Sequence, residues 1–233
     1  MSEFLPVVLI PGLLASARLY AQQIAALWPG GAVQVANHTR DESMAALARR
    51  ILAEAPARFA LAGLSMGGYI AFEILRQAPV RVARLALLDT AARPDTPEAS
   101  AARRIQMDLA VSGRFSEVID ALFARVVHPS RQDDAALREL VRLMGSEVGV
   151  AGYLKQQTAN ISRIDSRPTL AAIRCPTLVL VGDSDQLTPP ERAAEIADGI
   201  PGARLVVVPD CGHLSTLERP QAVSDALRAW LQS

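Results

Sequence analysis

Phe59-Ala60-Leu61-Ala62-Gly63-Leu64-Ser65-Met66-Gly67-Gly68-Tyr69-Ile70-Ala71-Phe72 opens on an apolar run, turns through a Gly-x-Ser-x-Gly pentapeptide and continues with helical spacing. A strand passing this sharply into a helix forces the middle residue into strained backbone. It also demands glycine at 63 and 67, where any side chain would clash. Ser65 is therefore expected at a helix N-terminus, its hydroxyl outward, beside the free Met66 N–H and the positive end of the helix dipole. Negative charge developing on a substrate oxygen is stabilised in such a place. The pentapeptide alone also describes an ordinary serine-capped glycine turn, so its meaning depends on its surroundings.

Those surroundings repeat one pattern. Short β-branched or leucine-rich runs, Val7 to Ile10, Ala32 to Ala36, Phe59 to Ala62, Leu85 to Leu88, Thr177 to Val181 and Leu205 to Val208, each lead through a turn into a longer segment of helical spacing. Alternating strands and helices predict an α/β fold, a mostly parallel sheet with helices on both faces. Asp41 ahead of Glu42 and Ser43, Thr96-Pro97-Glu98 and Thr188-Pro189 read as helix starts, and Pro220 to Leu231 as the last helix. Between Ala91 and Arg167 the strand rhythm gives way to three or four helical segments, punctuated by Gly113, His128-Pro129 and Gly145. A small all-helical insertion over 91–167 is expected, set into a core of 1–90 and 168–233. Ligands of parallel sheets bind at the carboxyl ends of the strands, where this insertion emerges. It is placed to act as a lid, with the Pro94 to Pro97 turn as its hinge.

A serine hydroxyl is hardly ionised at neutral pH and needs a base. Of the three histidines, His213 follows the Leu205 to Val208 strand and so lies at the sheet end that carries Ser65. His38 reaches the same end early in the chain, as a polar loop residue near the pocket rim, and His128 beside Pro129 reads as a turn or lid residue. The base in turn needs a carboxylate to fix its tautomer. Asp185, in Gly182-Asp183-Ser184-Asp185 after the Thr177 to Val181 strand, is the chosen acid. Asp183 could cap that turn instead, and Asp89 at the end of the Leu85 to Leu88 strand is an alternative. A second oxyanion donor is expected from the Pro11-Gly12-Leu13-Leu14 loop, with the Leu13 N–H preferred over that of Leu14 and Met66 supplying the first.

These motifs resemble the α/β-hydrolase family across nearly the whole chain, and within it the small bacterial esterases and enol-lactonases with a helical cap. The chain order Ser65, Asp185, His213 is that fold's own. The resemblance implies a serine hydrolase that cleaves a small carboxylic ester through an acyl-enzyme intermediate, without a cofactor or a metal. Lactone or C–C bond cleavage by the same three residues is the alternative, and a non-catalytic receptor is a more distant one. One departure stands out: members often carry His-Gly in the oxyanion loop where this chain has Pro11-Gly12, which removes a side-chain hydrogen bond that can hold the loop. Arg93, Arg163 and Arg167 flank the insertion and could meet a substrate carboxylate, although solvated surface arginines or turn partners of Asp165 are the preferred reading.

Composition narrows the partners to small molecules. The 233 residues carry 24 basic and 24 acidic side chains, leaving no broad field for a nucleic acid or an anionic membrane. Half the chain is apolar while only 4% is aromatic, so the pocket is expected to be aliphatic. The Met1 to Pro6 start lacks the features of a signal peptide, which points to a cytoplasmic protein, monomeric or homodimeric. Cys175 and Cys211 are too few for a disulfide framework and are expected to be reduced.

Overall fold

The computed structural model describes residues 5–232, so the reading of the first four residues lies outside it. Six strands, β1 (Val7–Ile10), β2 (Val33–Val35), β3 (Phe59–Leu64), β4 (Val82–Leu88), β5 (Thr177–Gly182) and β6 (Arg204–Val208), form one sheet in the order β2-β1-β3-β4-β5-β6. Every neighbouring pair is parallel. Parallel neighbours require crossovers, here supplied by α1 (Ala21–Leu27), α2 (Met44–Glu54), α3 (Met66–Gln77), α4 (Pro97–Leu109), α5 (Phe115–Val126), α6 (Ala135–Ile161), α7 (Arg167–Leu170) and α8 (Pro190–Gly199). The short α9 (Ser215–Glu218) and the final α10 (Pro220–Gln232) follow β6. Among the described residues no helix is long and apolar enough to cross a membrane.

The period-2 alternation of the strands divides the core in two. Ala60, Ala62 and Leu64 of β3 pack with Leu27, Val223, Leu227 and Trp230 on one face of the sheet. Phe59 and Leu61 pack with Leu47, Ile51, Ile70, Phe72 and Ile196 on the other. Both faces of the inner strands are covered, which is why their sequences are continuously apolar. β6 is equally apolar in sequence but lies at the sheet edge, where Leu205 and Val207 are 38% and 47% exposed. Composition alone could not distinguish that edge from the centre.

Helix starts followed the caps with two adjustments. Ser43 rather than Asp41 opens α2, its Oγ accepting the Ala46 N–H at 3.2 Å, while Asp41 pairs with Arg50 at 2.6 Å. Thr96 caps α4 as read, but Pro189 and not Thr188 precedes α8. Within 97–161 the chain breaks at Gly113 (φ 86°), at the expected His128-Pro129 between α5 and α6, and at Gly149 (φ 67°), not at Gly145. A side chain at 145 would press into Ile119, so that glycine lets α5 and α6 approach closely.

Candidate active site

Because all six strands run the same way, every loop after a strand opens on one edge of the sheet. The described non-glycine residues with positive φ all lie there: Leu14 (57°), Ser65 (54°), Asp89 (44°) and Asp210 (48°). Each such backbone costs on the order of 1–3 kcal/mol and persists only where its surroundings hold it. At Ser65 the hold is explicit. Its N–H donates to Leu88 O at 2.9 Å, and Thr90 Oγ1 donates to its carbonyl at 2.8 Å. A Cβ at Gly63 would strike the Gly67 carbonyl, and one at Gly67 the Ile10 carbonyl, so the turn closes only with glycine at both positions.

His213 lies in the loop after β6, 3% exposed, with Nδ1 2.8 Å from Asp185 Oδ2. Asp185 Oδ1 accepts the N–H groups of Leu187 (2.8 Å) and Thr188 (3.0 Å), and Oδ2 also accepts the Thr188 hydroxyl (2.8 Å). The threonine read as a helix cap therefore serves the carboxylate. Burial alone would raise the Asp185 carboxyl, but the adjacent His213 ring and these donors hold it below the usual carboxylate range. Burial likewise disfavours a charged His213 ring, yet Asp185, with Asp89 and Glu218 behind it, raises its pKa above the ordinary histidine value.

The other two acids have different tasks. Asp183 accepts the N–H groups of Asp210 (3.0 Å) and Cys211 (3.1 Å), tying the loops after β5 and β6 together. Asp89 is fully buried, accepts the Gly182 N–H at 3.0 Å and the Ser215 hydroxyl, and touches no histidine. Burial and the Asp185 charge push the Asp89 carboxyl well above its usual range.

Ser65 and His213 face a cavity of about 400 Å³ whose lining also includes Leu13, Met66, Tyr69, Leu122, Val126, Val141 and Met144. Ser65 Oγ and His213 are not hydrogen-bonded to one another among the described residues, although both line this cavity. A family model described as the alpha/beta hydrolase family matches residues 7–226. The chain belongs to that family. Among solved structures the hydrolase is similar to a thermophilic esterase from Thermogutta terrifontis, with TM-score 0.88 and 32% identity over 98% of this chain and 89% of that one. It is similar to the enol-lactonase of Burkholderia xenovorans with TM-score 0.88 and 26% identity over 98% and 91% of the two chains. A Mycobacterium tuberculosis relative that bears the name non-heme bromoperoxidase BpoC is 30% identical over 184 residues, 77% of this chain and 69% of its own.

Several features of the hydrolase site were not foreseen. The cavity has a polar end, where Asp95 (side chain 4% exposed) pairs with both Arg103 at 2.6 Å and Arg163 at 2.7 Å, and Arg163 lies 4.2 Å over the Tyr69 ring. The Pro94 to Pro97 turn, expected to be a hinge, is thus pinned through Asp95. Of the three arginines named from sequence, Arg93 and Arg163 line the cavity; Arg93 pairs with Glu195 at 2.7 Å with its side chain 44% exposed, Arg163 has a side chain only 9% exposed, and Arg167 pairs with Asp165 at 2.5 Å away from the lining. The helical segment also grips the loop after β6: Val126 O accepts the His213 N–H at 2.9 Å, and Glu218 joins the N–H groups of His128 (2.7 Å) and Gly212 (3.1 Å). His128 is a turn residue, its Nδ1 accepting the Ser130 N–H. His38 is not at the rim but buried, against the Pro11-Gly12 loop.

Proposed function

We propose that this hydrolase cleaves a small carboxylic ester through an acyl-enzyme formed on Ser65. The observation that carries the reading is the buried Asp185–His213 contact of 2.8 Å, opening on the cavity that Ser65 enters in strained backbone. Ser65 Oγ attacks the substrate carbonyl carbon and its proton passes to His213 Nε2. Asp185 holds the Nδ1 proton, and with it the reactive tautomer. The N–H groups of Leu13 and Met66, which have no protein acceptor among the described residues, receive the oxyanion. Each is worth about 3 kcal/mol of transition-state stabilisation. Collapse breaks the C–O bond as His213 protonates the departing alkoxide. Water, deprotonated by His213, then releases the acid and regenerates Ser65.

Segment 91–167 is the cap over a core of 1–90 and 168–233. Its Leu122, Val126, Val141 and Met144 suit an aliphatic group, and two guanidiniums sharing one carboxylate leave a net positive charge at the other end. That pairing favours a substrate whose acyl or alcohol part bears a carboxylate. A lactone is the second reading, favoured by the likeness to an enol-lactonase, and it needs no change in the chemistry.

Hydrolysis of p-nitrophenyl acetate and butyrate by wild type and Ser65→Ala is the test. A loss of up to about 10⁶ in turnover is expected in the variant. Equal rates in the two proteins overturn the assignment of Ser65, and no ester turnover by wild type moves the reading to lactones.

A further inference from the structure

The Leu13 N–H is useful as an oxyanion donor only if the peptide carrying it is aimed. Gly12 C=O and Leu13 N–H belong to one trans peptide plane and point in opposite directions, so whatever holds the Gly12 oxygen also aims the Leu13 N–H. That plane lies directly against the nucleophile: a Cβ on Gly12 would come within 3.3 Å of Ser65 Cβ. Within the loop the Ala15 N–H donates to Gly12 O at 3.2 Å, a long bond that leaves the second lone pair of that oxygen open; with proline at 11 no histidine beside Gly12 can fill it, yet two buried side chains reach the loop from elsewhere. His38, from the loop after β2, has Nε2 2.9 Å from Gly12 O. Gln156, on α6 of the cap, accepts the Leu14 N–H on Oε1 at 3.1 Å, and its amide nitrogen lies 3.0 Å from His38 Nε2.

We propose, resting on the Ser65 acyl-transfer reading, that His38 and Gln156 are positioning residues that hold the oxyanion loop, so that helix α6 of the cap forms part of the oxyanion hole's support. Gln156 takes the Leu14 N–H out of contention, leaving the Leu13 N–H to face the substrate. It also secures Leu14 in a left-handed backbone that a leucine adopts only under constraint. His38 Nε2 can donate to Gly12 O or accept from Gln156, but it cannot do both, so the tautomer selects the bond. With the proton on Nε2 the ring fixes the Gly12 carbonyl directly; with the proton on Nδ1 it fixes Gln156, which fixes Leu14. Either way the loop is tied through His38. Burial depresses this histidine to about 4, which keeps the ring neutral at neutral pH, so Nε2 offers either one proton or one lone pair. Gln156 and His38 are 0% and 2% exposed, so neither contact competes with water.

The test compares wild type, Ser65→Ala, Gln156→Leu, His38→Leu and His38→Gln on p-nitrophenyl acetate, recording kcat, KM, the pH profile and thermal stability. Glutamine places an amide N–H close to where the imidazole Nε2 stood. If Ser65→Ala retains activity, the parent reading fails and this proposal falls with it. If Ser65→Ala is dead, Gln156→Leu and His38→Leu are expected to lower kcat roughly 10- to 100-fold, the scale of a slightly misplaced catalytic group. KM should stay within about threefold, the acid limb set by His213 should not move, and His38→Gln should recover most of the loss. A kcat within twofold of wild type in both leucine variants overturns the proposal. So does a loss that follows stability and KM together without recovery in His38→Gln. If Gln156→Leu fails to fold, the ratio of His38→Gln to His38→Leu decides alone.

Discussion

Replacing Asp185 by asparagine preserves the volume of the side chain and changes what His213 Nδ1 meets. In the native protein the carboxylate takes four contacts: the ring nitrogen at 2.8 Å, two backbone N–H groups and the Thr188 hydroxyl. The two backbone donors fall on Oδ1, which an asparagine carbonyl oxygen would retain, so its NH2 must occupy the Oδ2 side. There it donates to Nδ1, and the ring is forced to carry its proton on Nε2, facing Ser65, where it cannot act as a base. The expected fall in kcat is about 10⁴-fold, the size seen when the same exchange is made in a serine protease triad; at 1.36 kcal/mol per decade this is roughly 5 kcal/mol of barrier. Thr188 can rotate its hydroxyl to suit the amide, so thermal stability should change little. The pH profile supplies a second reading. Against burial, Asp185 is the largest influence raising the His213 pKa, and its loss leaves burial opposed only by the more distant Asp89 and Glu218. The residual acid limb of kcat/KM should therefore move to lower pH, by about one unit for each 1.36 kcal/mol of attraction removed. Asp89→Asn is the control, since Asp89 contacts Gly182 and Ser215 but no histidine. Hydrolysis of p-nitrophenyl acetate between pH 5 and 9 measures all three proteins. Activity within tenfold of wild type in Asp185→Asn, with an unmoved limb, would refute the reasoning, and a larger loss in Asp89→Asn would transfer the role to that residue.

Two further outcomes follow from the same geometry. Gly67→Ala drives a methyl group into the Ile10 carbonyl, a backbone atom that cannot swing aside, and should abolish both turnover and most of the native fold in circular dichroism and thermal melts. Arg163→Met leaves Asp95 paired with Arg103 but removes the excess positive charge. It should lower kcat/KM at least about tenfold, or 1.4 kcal/mol, for an ester carrying a free carboxylate, while neutral p-nitrophenyl butyrate is little affected. Equal losses on both substrates would remove the anion preference.

The turn at Ser65 was legible before any coordinates because its constraints are local. A strand, a helix and two glycines within a few residues admit only one backbone path, and the clashes at Gly63 and Gly67 show why. The strand and helix rhythm, the parallel sheet and the edge on which the site lies were equally legible, since each follows from hydrophobic periodicity and the direction of the chain. The sequence favours Asp185 over Asp89 and Asp183, and it is the carboxylate that lies 2.8 Å from His213. What the sequence did not carry is the task of the other two, which stand just after neighbouring strands but are taken up by the backbone and hydroxyl donors of adjoining loops. The contacts of His38 and Gln156 with the loop that carries Pro11 were equally hidden, because the two residues are 118 positions apart and neither is near the loop in sequence.

The residues in order were enough for the chemistry available at each strand end and the fold that gathers those ends on one edge, because periodicity, glycine sterics and strand direction act over short stretches of chain. Packing alone settled who partners whom: Thr188 on Asp185, Asp95 between Arg103 and Arg163, Val126 on His213, and Gln156 of α6 on the Leu14 N–H. Hydrogen bonds and ion pairs act over about 3 Å and are blind to sequence separation, so such partners exist only once the packing has brought distant segments together.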